Sequence, residues 1–225
     1  MTLLIAYKLD DSIVFSADTK ESFIGEDGTV HLASVNKRKI FQIYSNVFMA
    51  VSGLASNHSI DLIRSVLLHK RRSSISEIIN CCREVLYNHR QIFQRYNNDD
   101  TRGATKAIIC GKDPESNELF IYSINEQFQT TSGIQAVIGH QEDRAREIYR
   151  TKFVQDEIPY LEQAVDAATS TIEEMSNQSE FIGTQSITYI IKAESITQSY
   201  YNGTRTPHCD RFLDKNIIGQ CNTRQ

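Results

Sequence analysis

The sequence has little of what marks a disordered, secreted or membrane-spanning chain. Three prolines and ten glycines in 225 residues exclude a collagen-like repeat and a Pro/Gly-rich disordered segment. No apolar run approaches the roughly 18 residues read as a transmembrane helix. Met1 to Asp11 lacks a basic region followed by a long apolar stretch, which speaks against a secretory signal. The five cysteines (Cys81, Cys82, Cys110, Cys209 and Cys221) are odd in number, irregularly spaced and without a CxxC pair. They therefore build neither a disulfide framework nor a zinc ribbon. They are expected to be small buried thiols in a reducing cytoplasm, where the sequon Asn202-Gly203-Thr204 has no use. Positive charge is not in excess either. Lys plus Arg is 24 against 28 for Asp plus Glu, a net charge of −4, which argues against a general nucleic-acid binder. GxSxG, GxGxxG and GxxxxGK[ST] are absent, and with them a nucleophile elbow and phosphate cradles. The six histidines form no HxH or HxxxH pair, so no metal site is expected.

What is present fits one soluble α+β domain over residues 1–225. Hydrophobic residues make up 40% and charged residues 23%. A chain of this length buries roughly 70% of its unfolded surface. Thr2 to Lys8 and Ser12 to Asp18 read as a hairpin around the turn Asp10-Asp11. Val30 to Val35, Lys39 to Tyr44 and Val47 to Ser52 are further short strands. Two helices follow. Ile60, Ile63, Val66 and Leu67 mark the first, and the capping box Ser74-Ile75-Ser76-Glu77 starts the second. Ala104 to Cys110 and Glu118 to Ile124 are strands around the turn Asp113 to Asn117, and Ile134 to Ile138 is another. Gln141 to Phe153 reads as helical, and Leu161 to Met175 carries an amphipathic helical pattern. Ser186 to Lys192 and Ser195 to Tyr201 close the pattern as a strand pair. Residues 202–225 read as a loop or a partner-binding extension.

The unusual feature is Thr2, which opens a core-type strand although chain ends usually fray. Once Met1 is removed, Thr2 carries a free α-amine beside its own hydroxyl. A threonine hydroxyl is a weak nucleophile, and an amine with an unperturbed pKa of about 7.7–8.0 can serve as its base. Asp18 comes close to Thr2 if the first two strands pair. Lys39 and Gly53 follow, the latter between a strand and the first helix.

Four segments in order, Thr2-Leu3-Leu4-Ile5-Ala6, Ser16-Ala17-Asp18-Thr19-Lys20, Arg38-Lys39-Ile40-Phe41-Gln42-Ile43 and Ala50-Val51-Ser52-Gly53, resemble the start of proteasome β-type subunits. These belong to the N-terminal nucleophile hydrolases, which include bacterial ring-protease relatives. The match is best over residues 2–56. The resemblance implies a four-layer αββα sandwich and a threonine-type peptidase without metal or cofactor. It assigns Thr2 as nucleophile, Lys39 as the catalytic lysine, Asp18 as its carboxylate and the Gly53 N–H as oxyanion donor. Val51 and Ala55 match residues lining the pocket for the residue before the cleaved bond, and Lys20 stands where the family often has arginine. Peptide or protein substrates, a homo-oligomeric ring and a separate unfolding partner are implied as well.

The chain departs from that pattern in two places. His140 replaces the serine that follows the family's glycine near residue 139 and contacts the nucleophile's amine. The family's later Asp-x-x-Ser-Gly stretch falls on Asn177 to Gly183, which has no aspartate in register and offers Ser179 instead. These departures motivate an alternative: a proteasome-like assembly or scaffold protein without catalysis. The segment Glu21 to Gly28 also lengthens the stretch between Asp18 and Lys39 and is expected to reshape the cleft.

Overall fold

The computed structural model describes residues 2–24, 29–53, 57–70, 73–96, 105–152, 160–192, 198–202 and 204–205. Six strands come first: β1 (Leu3–Lys8), β2 (Ser12–Asp18), β3 (Glu21–Ile24), β4 (Val30–Ser34), β5 (Ile40–Tyr44) and β6 (Val47–Ser52). Helices α1 (Asn57–Leu68) and α2 (Ile75–Tyr96) precede β7 (Lys106–Lys112), β8 (Leu119–Ile124), β9 (Thr130–Ser132) and β10 (Gln135–Gly139). Then come α3 (Glu142–Thr151), α4 (Leu161–Gln178), β11 (Ser186–Lys192), β12 (Gln198–Tyr201) and β13 (Thr204–Arg205).

Every strand pairing among the described residues is antiparallel. One sheet has the order β10-β1-β2-β11-β12-β13, a second β5-β6-β7-β8-β9, and β3-β4 form a hairpin of their own. The alternation of strand side chains sorts the apolar residues into separate clusters. Leu4, Ala6, Phe15 and Ala17 pack in one cluster with Phe48, Ala50, Ile108 and Cys110 of the second sheet. Their neighbours Leu3, Ile5 and Val14 pack with Ala145, Ile148, Val165, Ala168 and Ile172 of α3 and α4. A third cluster joins Val47, Met49, Ala107 and Ile109 to Ile63, Leu67, Ile78 and Cys82 of α1 and α2. Both faces of β1 and β2 are buried, which is why they read as continuous apolar runs rather than as alternation.

The capping box at α2 forms in both directions. The Glu77 N–H donates to Ser74 Oγ at 3.4 Å and the Ser74 N–H to Glu77 Oε2 at 3.0 Å. Several elements escaped the pattern. β9 is all polar and exposed, so no alternation marks it. β3 falls in a stretch read as an insertion, and β13 in a stretch read as tail; it pairs with Tyr200 and Tyr201. Of the strand expected over 195–201, only 198–201 lies among the described residues, as does little of the 202–225 extension. Among the described residues, no helix is long and apolar enough to cross a membrane, and no group of three or more His, Cys, Asp or Glu is placed to hold a metal ion.

Candidate active site

The hairpin of β1 and β2 starts the site. Its ladder sets Leu4 against Ala17, and the next step brings Asp18 to the beginning of β1. There the Leu3 N–H donates to Asp18 Oδ1 at 2.9 Å. Lys39 precedes β5 and reaches the same oxygen, Nζ to Oδ1 2.8 Å, with the carboxylate side chain 0% and the lysine 7% exposed. Its approach is fixed by Thr19, whose carbonyl accepts the Lys37 N–H at 2.7 Å and whose hydroxyl donates to the Val35 carbonyl at 2.7 Å.

The second carboxylate oxygen is used as fully. Asp18 Oδ2 accepts the Lys20 N–H at 3.2 Å and the Gly183 N–H at 3.1 Å. Four donors thus converge on one buried carboxylate, about the number of lone-pair sites it offers. Burial pushes the Lys39 ammonium below its ordinary pKa, and the facing Asp18 only partly restores it. Such an ammonium is a fixed cation that gives up its proton more readily than a surface lysine.

Thr2 lies just before β1 and is nearly buried, 7% exposed. Its carbonyl accepts the His140 N–H at 3.0 Å, which carries the β1–β10 ladder one step beyond the pair Leu3 and Gly139. Gly139 has φ +127°, and a Cβ there would lie 1.9 Å from the Thr2 carbonyl oxygen. Only glycine permits this approach. On its other side, the Gly139 N–H donates to Glu142 Oε2 at 3.4 Å. Glu142 also pairs with Lys106 at 2.9 Å, and Lys106 with Glu126 at 3.2 Å. Burial works against the Lys106 charge, but the two carboxylates outweigh it and raise its pKa.

The remaining residues singled out in the sequence are placed as follows. Gly53 directly follows β6 and is exposed, with φ +95°. Val51 is half-buried and packs on the cluster beneath α1 and α2. Ala55 lies outside the described residues. The Lys20 ammonium donates to the Glu180 carbonyl, so its side chain turns to the segment after α4. Ser179 caps that segment: its hydroxyl accepts the Phe181 N–H at 3.2 Å and its carbonyl the Ile182 N–H at 3.3 Å. The His140 ring packs on Phe181, centroids 5.0 Å apart and tilted by 55°.

Sequence reasoning missed the part played by Gly183 and by the Glu142–Lys106 bridge. Gly183 carried one signal, a glycine shortly before a strand. A Cβ on it would meet Lys20 Cβ at 2.7 Å, so its absence lets the two backbones close around Asp18.

The profile of the family described as "Proteasome subunit" matches residues 2–191. None of the curated proteins matches the sequence. The profile covers most of the chain, including both strands of the Thr2 hairpin, the Asp18–Lys39 pair and the segment that closes on it; this chain belongs to the proteasome subunit family.

Proposed function

We propose that the protein is an N-terminal threonine hydrolase that cleaves amide bonds in peptides or proteins, built as one four-layer αββα domain. The three apolar clusters, one between the sheets and one under each helix pair, support the layering. Removal of Met1 frees the Thr2 amine. The Thr2 hydroxyl attacks the substrate carbonyl while the amine takes its proton. The amine then gives that proton to the leaving nitrogen, and a Thr2 ester remains. Water, deprotonated by the same amine, hydrolyses the ester and restores the hydroxyl. The Lys39 cation favours the developing alkoxide, Asp18 holds Lys39, and the Gly53 N–H receives the oxyanion. Val51 and Ala55 border the pocket for the residue before the cleaved bond, and Lys20 borders the cleft. No cofactor enters these steps. In keeping with the family, the chain assembles with copies of itself into a ring in the cytoplasm, and a separate partner unfolds protein substrates.

The observation that carries this reading is the buried Asp18–Lys39 pair tied to the Leu3 N–H. Burying two charges costs several kcal/mol, roughly what their attraction returns, so such a pair is weak support for the fold alone. It is well suited to keep a cation next to a nucleophile.

The test is direct. Intact mass of the natively produced protein gives the N-terminus, and a peptide epoxyketone labels an active Thr2. Thr2→Ala is expected to abolish labelling and to lower peptide cleavage by a factor of about 10³ or more. Unchanged turnover in Thr2→Ala would sink the mechanism.

A second reading, a non-catalytic assembly protein, is favoured by one observation. The residue before Gly183, where the family's stretch has a serine, is Ile182, buried in the apolar cluster under α3 and α4. Retention of Met1 together with absent labelling decides for it.

A further inference from the structure

A cleft of about 560 Å³ opens between β10, the ends of β8 and β9, and one face of α3. None of Lys20, Val51 and Gly53, assigned above to the substrate side, lines it. β10 is the last strand of its sheet, so one of its edges has no neighbour. The His140 N–H bonds to Thr2 and the Ile134 carbonyl to the Lys8 N–H, which turns the even-numbered residues of β10 toward β1. Gln135, Val137 and Gly139 therefore turn their backbone groups outward. Helix α3 engages two of these groups. Arg146 donates to the Val137 carbonyl at 3.3 Å, and Glu142 accepts the Gly139 N–H at 3.4 Å. The N–H groups of Gln135 and Val137 have no acceptor among the described residues.

The side chains around the cleft leave a second surplus. Glu142, Arg146 and Arg150 follow one another at four-residue spacing, so all three lie on the face of α3 that borders it. Lys106 is held between Glu142 at 2.9 Å and Glu126 at 3.2 Å, and Arg146 by Asp143 at 3.1 Å. Arg150 is exposed and has no ion pair among the described residues. The Gln135 amide nitrogen is out of solvent and also lacks an acceptor. An open strand edge with its N–H groups and the Gln135 carbonyl unspent is a template for a further strand. An unpaired guanidinium at its side selects a carboxylate.

We propose that this cleft binds an extended acidic peptide segment of another protein, which adds as a strand along the outer edge of β10 and sets a carboxylate on Arg150. The N–H groups of Gln135 and Val137 donate to its carbonyls, and the Gln135 carbonyl accepts one of its N–H groups. Strand alternation then sorts its side chains between two faces. Val137 packs toward α3, so residues on that face meet Arg150 and are acidic. Ala136 and Ile138 belong to the cluster between the sheets, and Ile134 lies exposed at the mouth, so residues on the other face are apolar. Thr2 has no part in this site, which stands whether or not the chain is a peptidase.

The experiment titrates the full chain, carrying Thr2→Ala so that cleavage cannot consume the probe, with the end-blocked peptide Val-Glu-Val-Glu-Val and with its analogue Val-Gln-Val-Gln-Val. Saturable binding of the acidic peptide is expected below about 1 mM. The glutamine analogue and the Arg150→Gln protein should each bind about tenfold more weakly or worse, since a charge-assisted bond is lost. Arg150→Lys keeps the charge without the fork and should recover part of the affinity. Arg150 is exposed, so neither variant disturbs the core. Hydrogen exchange reads the added strand: the amides of Gln135 and Val137 should slow when the acidic peptide is bound. No binding, equal affinity for the two peptides, parental affinity in Arg150→Gln, or unchanged exchange at both amides each overturns the proposal. So does slow exchange at these amides without peptide that is lost on dilution as the mass of the assembly falls, which would assign the edge to a second copy of the chain.

Discussion

Asp18 and Lys39 face each other at 2.8 Å, the carboxylate fully out of solvent and the ammonium nearly so, and Asp18 is the better connected of the two. Removing the carboxylate strands the ammonium and the N–H groups of Leu3, Lys20 and Gly183 together. Breaking a buried pair from one side costs about 3–5 kcal/mol. Asp18→Ala is therefore expected to lose that much stability in urea unfolding. Lys39→Met leaves Asp18 with three of its donors and should cost clearly less. Equal losses in the two variants would show that the backbone donors contribute little.

Gly139→Ala tests the seat of Thr2. The added methyl would fall 1.9 Å from the Thr2 carbonyl oxygen at a φ of +127°. Both the clash and the backbone conformation oppose it, and a loss of about 2 kcal/mol or more is expected. The hydrogen bond from the His140 N–H should open as well, so the protection of that amide in hydrogen exchange falls further than the global stability does. An alanine variant with parental stability and parental exchange at His140 would contradict the geometry.

The meeting of β1 with the end of β2 was legible because a two-residue turn, Asp10-Asp11, leaves one register that buries both apolar runs. The helix pairs were legible from the Ser74-to-Glu77 cap and from spacing such as Ile78, Cys82 and Leu86. Gly183 was not, since 165 residues separate it from Asp18 and no local pattern encodes that contact. β9 escaped because an exposed polar edge strand has no periodicity to read. The Glu142–Lys106 bridge joins residues 36 apart on a helix and on a strand of the other sheet, and only the packing brings them together.

Stability at mildly acidic pH should depend on His140. Its folded pKa lies below the ordinary value because burial disfavours the cation. Between the two values the unfolded chain binds more protons, so this residue's contribution makes the protein gain stability as pH rises through that window, ending near the unfolded value of about 6.5. His140→Gln should flatten that part of the profile. The check is the parent midpoint minus the variant midpoint in urea at a series of pH values, which should fall as pH is lowered through that window; a difference that rises instead would reverse the sign.

Cys82 and Cys110 should be chemically silent in the native protein. Both are fully buried, and burial raises both thiols well above their ordinary pKa. A thiolate is the reactive form, so access and ionisation work in the same direction. Iodoacetamide at neutral pH is expected to leave both unmodified in buffer and to alkylate both in urea, read by peptide mass mapping. Fast native labelling of either would contradict the packing of its cluster.

The chain should unfold as one domain, and the contact between Phe48 and Tyr189 is the place to test it. The rings stack across the two sheets, 6.0 Å apart and 25° from parallel, inside the cluster shared by β1, β2, β6 and β7. Phe48→Ala removes a ring that both sheets bury, and such truncations cost about 3–5 kcal/mol. Phe48 belongs to the sheet covered by α1 and α2, while Tyr189 belongs to the sheet covered by α3 and α4. If the halves are one cooperative unit, the loss must destabilise both. The helical signal at far-ultraviolet wavelengths and the tyrosine signal in the near ultraviolet should then shift together to a single lower midpoint. Two separated transitions, with one left at the parental midpoint, would divide the chain into independent units and remove the cluster between the sheets as the element that joins them.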